Sequence, residues 1–313
     1  GTRLDEALKN VGKDKRKGKQ RQVGKACLWY HTLDDYGNTD DEAAATLASN
    51  DIVVAGGALY GGNYTEETAN RQIAIIKKAK KLNPNFKIFF YITIASWRND
   101  GGWSHILGKG GYWDAEEAAQ HPNAVRIHTK WEIYQLLEYA AHAGGRKSGE
   151  KQFIETYTWT DDAGVEHTED KYIDLYEGGI QMDGCFYDDA GMENTEGRVN
   201  QGFTEDLRQK YIDLVNFTHS KGLAAFPNQL STDWYADTVS TANPNGLPSA
   251  IGENDYMLLE SCHTQVGLSQ GKPLWRHVNG TEGVWNYYEN WYDKVGAKVV
   301  INDYLYGTGG GEQ

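Results

Sequence analysis

Proline, cysteine and, past the first 25 residues, basic side chains are all scarce in this chain of 313 residues, and each scarcity excludes something. Only 6 prolines stand beside 36 glycines, without a Gly-X-Y period, so collagen-like and proline-rich linker architectures are ruled out. The three cysteines, Cys27, Cys185 and Cys262, lie far apart in short apolar runs. They offer neither a CxxC pair nor a disulfide framework, and read as buried thiols. No apolar run approaches the roughly 20 residues that a membrane-spanning helix needs. No GxGxxG or GxxxxGK(S/T) follows a candidate strand, so nucleotide binding has no motif behind it. A GxSxG elbow and an HxxxH spacing are also missing, which removes the usual signatures of serine hydrolases and zinc peptidases.

Positive charge is unevenly spread. Residues 1–25 hold nine Lys/Arg against Asp5, Glu6 and Asp14, a local net of +6. With 31 basic and 44 acidic residues in all, the other 288 carry a net charge of −19. A body that acidic repels nucleic-acid phosphate and favours a cationic ligand. The basic arm reads as a solvated, partly helical tail whose charge suits an acidic protein partner. The chain opens on glycine with no apolar leader, which reads as processed or trimmed. Three Asn-X-Thr sequons, at Asn63, Asn216 and Asn279, leave the compartment open, with an extracellular, cell-surface or virion-associated setting favoured.

What the chain has in abundance is aromatic surface, 10 Trp, 20 Tyr and 8 Phe, enough to exclude disorder. Short, continuous apolar runs alternate with helical patterns. Strands are expected at Ala26–His31, Asp51–Gly56, Lys87–Ala95, Gln181–Tyr187, Gly222–Pro227, Asp255–Glu260 and Ala297–Asp303. Continuous rather than alternating apolarity predicts parallel strands covered on both faces. Thr65 predicts a helix start ahead of Glu66 and Glu67, and Thr204 another; further helices are expected over Val125–Ala143 and near Val284–Val295. The expected fold is α/β, a (β/α)8 TIM-type barrel that is incomplete or irregular at the eighth strand, with an open doubly wound sheet as the alternative. The basic arm would occupy 1–25, the barrel 26–306 and a Gly-rich tail 307–313. A long insertion, 96–180, follows the third strand and includes a hairpin pairing Phe153–Trp159 with Val165–Thr168.

In a parallel barrel, chemistry sits at the carboxyl ends of the strands. Those positions carry Tyr30 with Asp34, then Tyr60, Trp97 with Arg98, Asp188 with Asp189, Asn228, Glu260 with His263, and Asp303 with Tyr304. Asp188 and Glu260 each end an apolar strand directly, so rigid backbone holds both at the mouth. Two such carboxylates can divide the work of hydrolysing a glycosidic bond, one donating a proton and the other attacking or activating water; Asp189 could share that role. Trp97, Trp103, Trp275 and Tyr304 supply flat surfaces suited to sugar rings. The Asp34-Asp35 and Asp40-Asp41 pairs flank a Gly-containing loop but lack calcium-loop spacing, so no metal and no cofactor is expected.

Four segments, Lys87-Ile-Phe-Phe-Tyr-Ile-Thr, Met182-Asp-Gly-Cys-Phe-Tyr-Asp-Asp, Ala225-Phe-Pro-Asn and Asp255-Tyr-Met-Leu-Leu-Glu, occur in an order that resembles the spherulin-4-like and glycoside hydrolase family 114 barrels, the endo-α-1,4-polygalactosaminidases. That resemblance implies an endo-acting barrel glycosidase cutting galactosamine-rich polysaccharide, with Asp188 and Glu260 as the catalytic pair. The chain departs from the family pattern in Asp189, where Glu is usual, and in the order Pro227-Asn228. The competing functional readings are a non-catalytic carbohydrate-binding or structural barrel anchored by the basic arm, and a metal-dependent deacetylase.

Overall fold

The computed structural model describes residues 24–29, 37–55, 65–93, 95–97, 103–105, 130–161, 163–188, 205–228, 250–260, 264–269, 272–275, 291–292 and 295–302. Its frame is a mixed α/β arrangement around a parallel sheet. Strands β1 (Ala26–Trp29), β2 (Ile52–Ala55), β3 (Lys87–Thr93), β8 (Gly184–Asp188) and β9 (Ala224–Pro227) lie side by side in chain order. All of their pairings are parallel. An Asn228–Leu258 bridge joins β9 to β10 (Tyr256–Glu260), which in turn pairs in parallel with β13 (Lys298–Asn302). All seven anticipated strands therefore form, within a residue or a few of the expected ends. Among the described residues no pairing links β13 back to β1.

The two faces of this sheet are buried differently, and the alternation of side chains along each strand is the reason. Val53, Ile88, Phe90, Cys185, Tyr187, Ala225, Met257 and Leu259 pack on one face against helix residues. Those helices are α1 (Asp40–Ala48), α2 (Glu66–Leu82), α3 (Lys130–Ala141) and α4 (Glu205–Ser220). Val54, Phe89, Phe186, Phe226, Tyr256, Leu258 and Val300 fill the other face, and among the described residues this cluster is drawn from strands alone. Phe89 of β3 meets Tyr256 of β10 at 4.8 Å between ring centres, although two strands separate them in the sheet. A flat sheet would hold those strands about 14 Å apart. The sheet is therefore curled, with aromatic side chains filling its hollow.

Repeated aspartates tie down the amino ends of the strands. Asp51 precedes β2 and accepts the Lys25 N–H at 2.8 Å, reaching back towards β1. Asp183 precedes β8 and accepts the Ile88 N–H of β3 at 2.8 Å, with Lys80 of α2 at 2.6 Å. Asp255 precedes β10 and accepts the Ala225 N–H of β9 at 2.8 Å. Each staple joins an even member of the parallel series to its odd predecessor.

Helix α2 starts where Thr65 caps it, its hydroxyl accepting the Thr68 N–H at 3.0 Å, while Glu66 and Glu67 meet the positive end of the helix dipole. Thr65→Ala should lower unfolding free energy by about 1 kcal/mol in urea titration, with no change elsewhere in the fold. Helix α1 was not anticipated. Asp40 and Asp41, read from the sequence as flanking a loop, lie instead in its first turn. They pair with α2 through Arg71 at 2.9 Å and Lys78 at 2.6 Å. The overlooked signal is Thr39-Asp-Asp-Glu42, in which the Thr39 hydroxyl accepts the Glu42 N–H at 3.2 Å and Glu42 accepts the Asn38 N–H at 2.8 Å.

Between β3 and β8 the described residues form two hairpins and a helix. Strands β4 (Ala95–Trp97) and β5 (Trp103–His105) pair antiparallel with Trp97 opposite Trp103, so the third parallel strand ends before Trp97 rather than delivering it. Strands β6 (Arg146–Thr160) and β7 (Glu166–Glu177) make a hairpin much longer than expected. Strand β7 is bonded to side chains of α3. The Gln135 amide both donates to the Asp174 carbonyl and accepts from its N–H, each at 2.7 Å, as a neighbouring strand would. Glu138, 3% exposed, accepts the Tyr176 N–H at 3.0 Å and pairs with Lys221 at 2.6 Å, so the hairpin is anchored by a buried ion pair. A further hairpin, β11 (Thr264–Ser269) with β12 (Lys272–Trp275), was not expected either. The helix expected near 284–295 lies mostly outside the described residues, as does Cys262; Cys185 is fully buried, which raises its thiol pKa, and Cys27 is partly exposed.

Candidate functional site

At the carboxyl end of the sheet, Asp188 is the last residue of β8, in register with Thr93 of β3. The strand is buried up to Tyr187, and Asp188 itself is partly buried, where the sheet meets its open end. Both carboxylate oxygens are engaged. One accepts the Tyr91 hydroxyl of β3 at 2.6 Å, and the other accepts the Asn228 side-chain amide at 3.0 Å. Asn228 follows β9 directly, and its own N–H donates to the Tyr187 carbonyl at 2.8 Å. Donors on the two flanking strands thus fix one carboxylate on the strand between them.

The strand pattern explains this convergence. In β3, Phe89 and Tyr91 share the face that meets Phe186, with Tyr91 and Phe186 stacked at 5.8 Å. Asp188 is two residues beyond Phe186 and falls on that face. Tyr91 therefore buries its ring in the hollow and carries its hydroxyl to the rim, an amphipathic side chain used at both ends. Sequence reasoning singled out Asp188 and Asn228 but missed Tyr91. The available signal was a polar-tipped aromatic two positions before the end of an otherwise apolar strand.

Glu260 closes β10, its backbone in register with Asn302 of β13. Trp97, Trp103 and Trp275 lie on the β4–β5 and β11–β12 hairpins rather than on the parallel strands. Tyr30, Asp34, Tyr60, Arg98, Asp189, His263, Asp303 and Tyr304 lie outside the described residues. Among the described residues, no group of three or more His, Cys, Asp and Glu side chains is gathered that could hold a metal ion. No described helix is long and apolar enough to cross a membrane.

The opposite end of the sheet is chemically distinct. A cavity of about 570 Å³ there is lined by residues that include Lys87, Asp183, His219, Asp255, Tyr256 and Lys298. Asp255, 1% exposed, receives His219 Nε2 at 2.8 Å and raises that imidazole's pKa above its ordinary value, partly offset by burial. Burial lowers the Lys298 pKa. This cluster lies with the strand-tying aspartates, at the amino end of the sheet.

No protein-family model matches the chain, and no curated protein matches it. Among solved structures, a xylanase-alpha-amylase inhibitor protein crystallised in complex with trehalose is similar at 14% sequence identity and a TM-score of 0.34, the match covering 90% of this chain and 79% of that one.

Proposed function

We propose that this chain is a glycoside hydrolase: a (β/α)8-type barrel acting on an amino-sugar polysaccharide through Asp188 and Glu260, in the manner of the galactosaminidase-like family that its motifs resemble. The observation that carries the reading is the Asp188 carboxylate, fixed at the carboxyl end of the fourth parallel strand by Tyr91 and Asn228. With each oxygen already accepting a hydrogen bond, Asp188 suits the role of nucleophile or base, and Glu260 is left as proton donor. Tyr256 and Leu258 belong to the interior cluster. The period of two along β10 would then send residue 260 to the same side as Asp188. In this reading the curl of the sheet brings the fourth and sixth strands to a shared mouth, and the barrel closes between β13 and β1.

The test is incubation of the protein with a panel of amino-sugar and neutral polysaccharides, with product size read by mass spectrometry. Shortened fragments from a partly deacetylated galactosamine polymer are expected. Unchanged chain lengths across the whole panel would overturn the proposal.

A further inference from the structure

Two lysines at the amino end of the sheet have no carboxylate within hydrogen-bond reach. Side chains alternate along a strand, so Lys87 of β3 shares the inward face with Phe89, and Lys298 of β13 shares it with Val300. Four pairing steps separate β3 from β13, and a flat sheet would hold those strands about 19 Å apart. The curl instead sets both lysines on the one cavity of about 570 Å³. Both residues are exposed, so solvent reaches the charges.

Tyr256 of β10 lines the same cavity at only 6% exposure. Its ring lies under Lys298, whose ammonium is 4.9 Å from the ring centre. Burial, then the charges of Asp183 and Asp255, raise the Tyr256 pKa, so its hydroxyl stays protonated at the end of the sheet where both aspartates lie. Among the described residues that hydroxyl meets no hydrogen-bond partner.

The nearby carboxylates are engaged elsewhere. Asp183 holds Lys80 at 2.6 Å and the Ile88 N–H at 2.8 Å, and comes no nearer to Lys87 than 3.8 Å. Both oxygens of Asp255 are filled by backbone N–H groups and His219. Glu253 meets Lys298 through its backbone carbonyl, at 3.0 Å. Burial first lowers the Lys298 pKa; Asp255 and Glu253 oppose that shift, and the like charge of Lys87 adds to it.

Two ammonium groups and a protonated hydroxyl are three donors that lack an acceptor. A doubly charged oxyanion between them would satisfy all three and relieve the repulsion of the lysines. The cavity is several times larger than a phosphate ion and has Gly222 and Gly252 in its lining, which leaves space for an organic substituent. The net charge of −19 past residue 25 disfavours a polymer of phosphates. We propose that this cavity binds the phosphate group of a small phosphate monoester, held by Lys87, Lys298 and the Tyr256 hydroxyl. The site is at the opposite end of the sheet from Asp188 and is independent of the hydrolase reading.

The full chain is titrated by calorimetry at constant ionic strength with glycerol 1-phosphate, inorganic phosphate and, as a control, glycerol. Both phosphates should bind, the ester more tightly, and glycerol should not. Lys87→Met and Lys298→Met should each weaken ester binding about tenfold or more, and Tyr256→Phe, which keeps the ring and its packing, about three- to tenfold. Lys77→Met removes the same charge from the exposed face of α2 and should change nothing. Where a lysine variant shifts the melting temperature, Tyr256→Phe decides. Inorganic phosphate binding as tightly as the ester would overturn the monoester and assign the cavity to the free ion. Ester affinity indifferent to Tyr256→Phe and to both lysine substitutions, or lowered as much by Lys77→Met, overturns the site.

Discussion

On the proposed hydrolase reading, Asp188→Asn should lose about 10³-fold or more of the rate of polymer cleavage while unfolding at the same urea concentration as the parent protein. The two halves of that expectation come from the same geometry. An asparagine at 188 can still accept from the Asn228 amide through its carbonyl, and its own amide can donate to the Tyr91 hydroxyl, which reverses its role. The packing and both hydrogen bonds survive, and what disappears is the negative oxygen that would attack the anomeric carbon or deprotonate water. Glu260→Gln should cost a comparable factor on substrates with poor leaving groups and much less on activated aryl glycosides, which need little proton donation. Tyr91→Phe removes one of the two hydrogen bonds and leaves the charge. A hydrogen bond to an ionised group contributes about 1.5–3 kcal/mol, so a loss of roughly ten- to hundredfold in kcat/KM is expected. Wild-type turnover in Asp188→Asn would remove the carboxylate from the mechanism, whatever the polymer.

The parallel strands were legible because their apolarity is continuous. Phe89-Phe90, Cys185-Phe186-Tyr187 and Met257-Leu258-Leu259 must be covered on both faces, and only a parallel sheet with helices outside and its own side chains inside covers both. The position of Asp188 was legible for the same reason, as the first acid after an apolar run. Its partners were less so. Tyr91 sits inside an aromatic stretch and reads there as core; only the register of β3 against β8 shows that its hydroxyl reaches the rim. Helix α1 was hidden because its buried face consists of Ala43, Ala44 and Leu47, too small a stripe to register as periodic hydrophobicity, and because three acids at its start suggest a loop. The length of the β6–β7 hairpin was hidden by its composition. Arg146-Lys-Ser-Gly-Glu-Lys has no apolar alternation, and that segment is held as a strand by β7, itself backed by the side chains of Gln135 and Glu138 on α3. Tertiary contacts outweighed local propensity there.

Asp255→Ala should be among the most damaging single changes to stability, costing about 3–5 kcal/mol out of the 5–15 kcal/mol typical of a folded domain. Its carboxylate is 1% exposed and gathers groups from three separate segments: the Ala225 N–H at 2.8 Å, the Gly252 N–H at 2.8 Å and His219 Nε2 at 2.8 and 3.0 Å. Truncation would strand the buried Ala225 N–H without its acceptor and leave the imidazole of α4 facing a void, and each unmade hydrogen bond in such a place costs more than the bond itself contributed. The pair also sets a pH dependence. Asp255 raises the His219 pKa in the folded chain above its unfolded value near 6.5. The stabilisation that follows is fully present below pH 6.5 and is lost as pH rises through the folded pKa, because the unfolded chain releases that proton first. The stability difference between wild type and His219→Gln should therefore be larger at pH 5.5 than at pH 9, measured by urea unfolding at both. Asp255→Ala should flatten the His219-dependent part of that difference, since without the carboxylate nothing here raises the imidazole. A gap between wild type and His219→Gln that widens with alkalinity would mean the imidazole is bound in its neutral form, its Nε2–H donating to Asp255 without a charge.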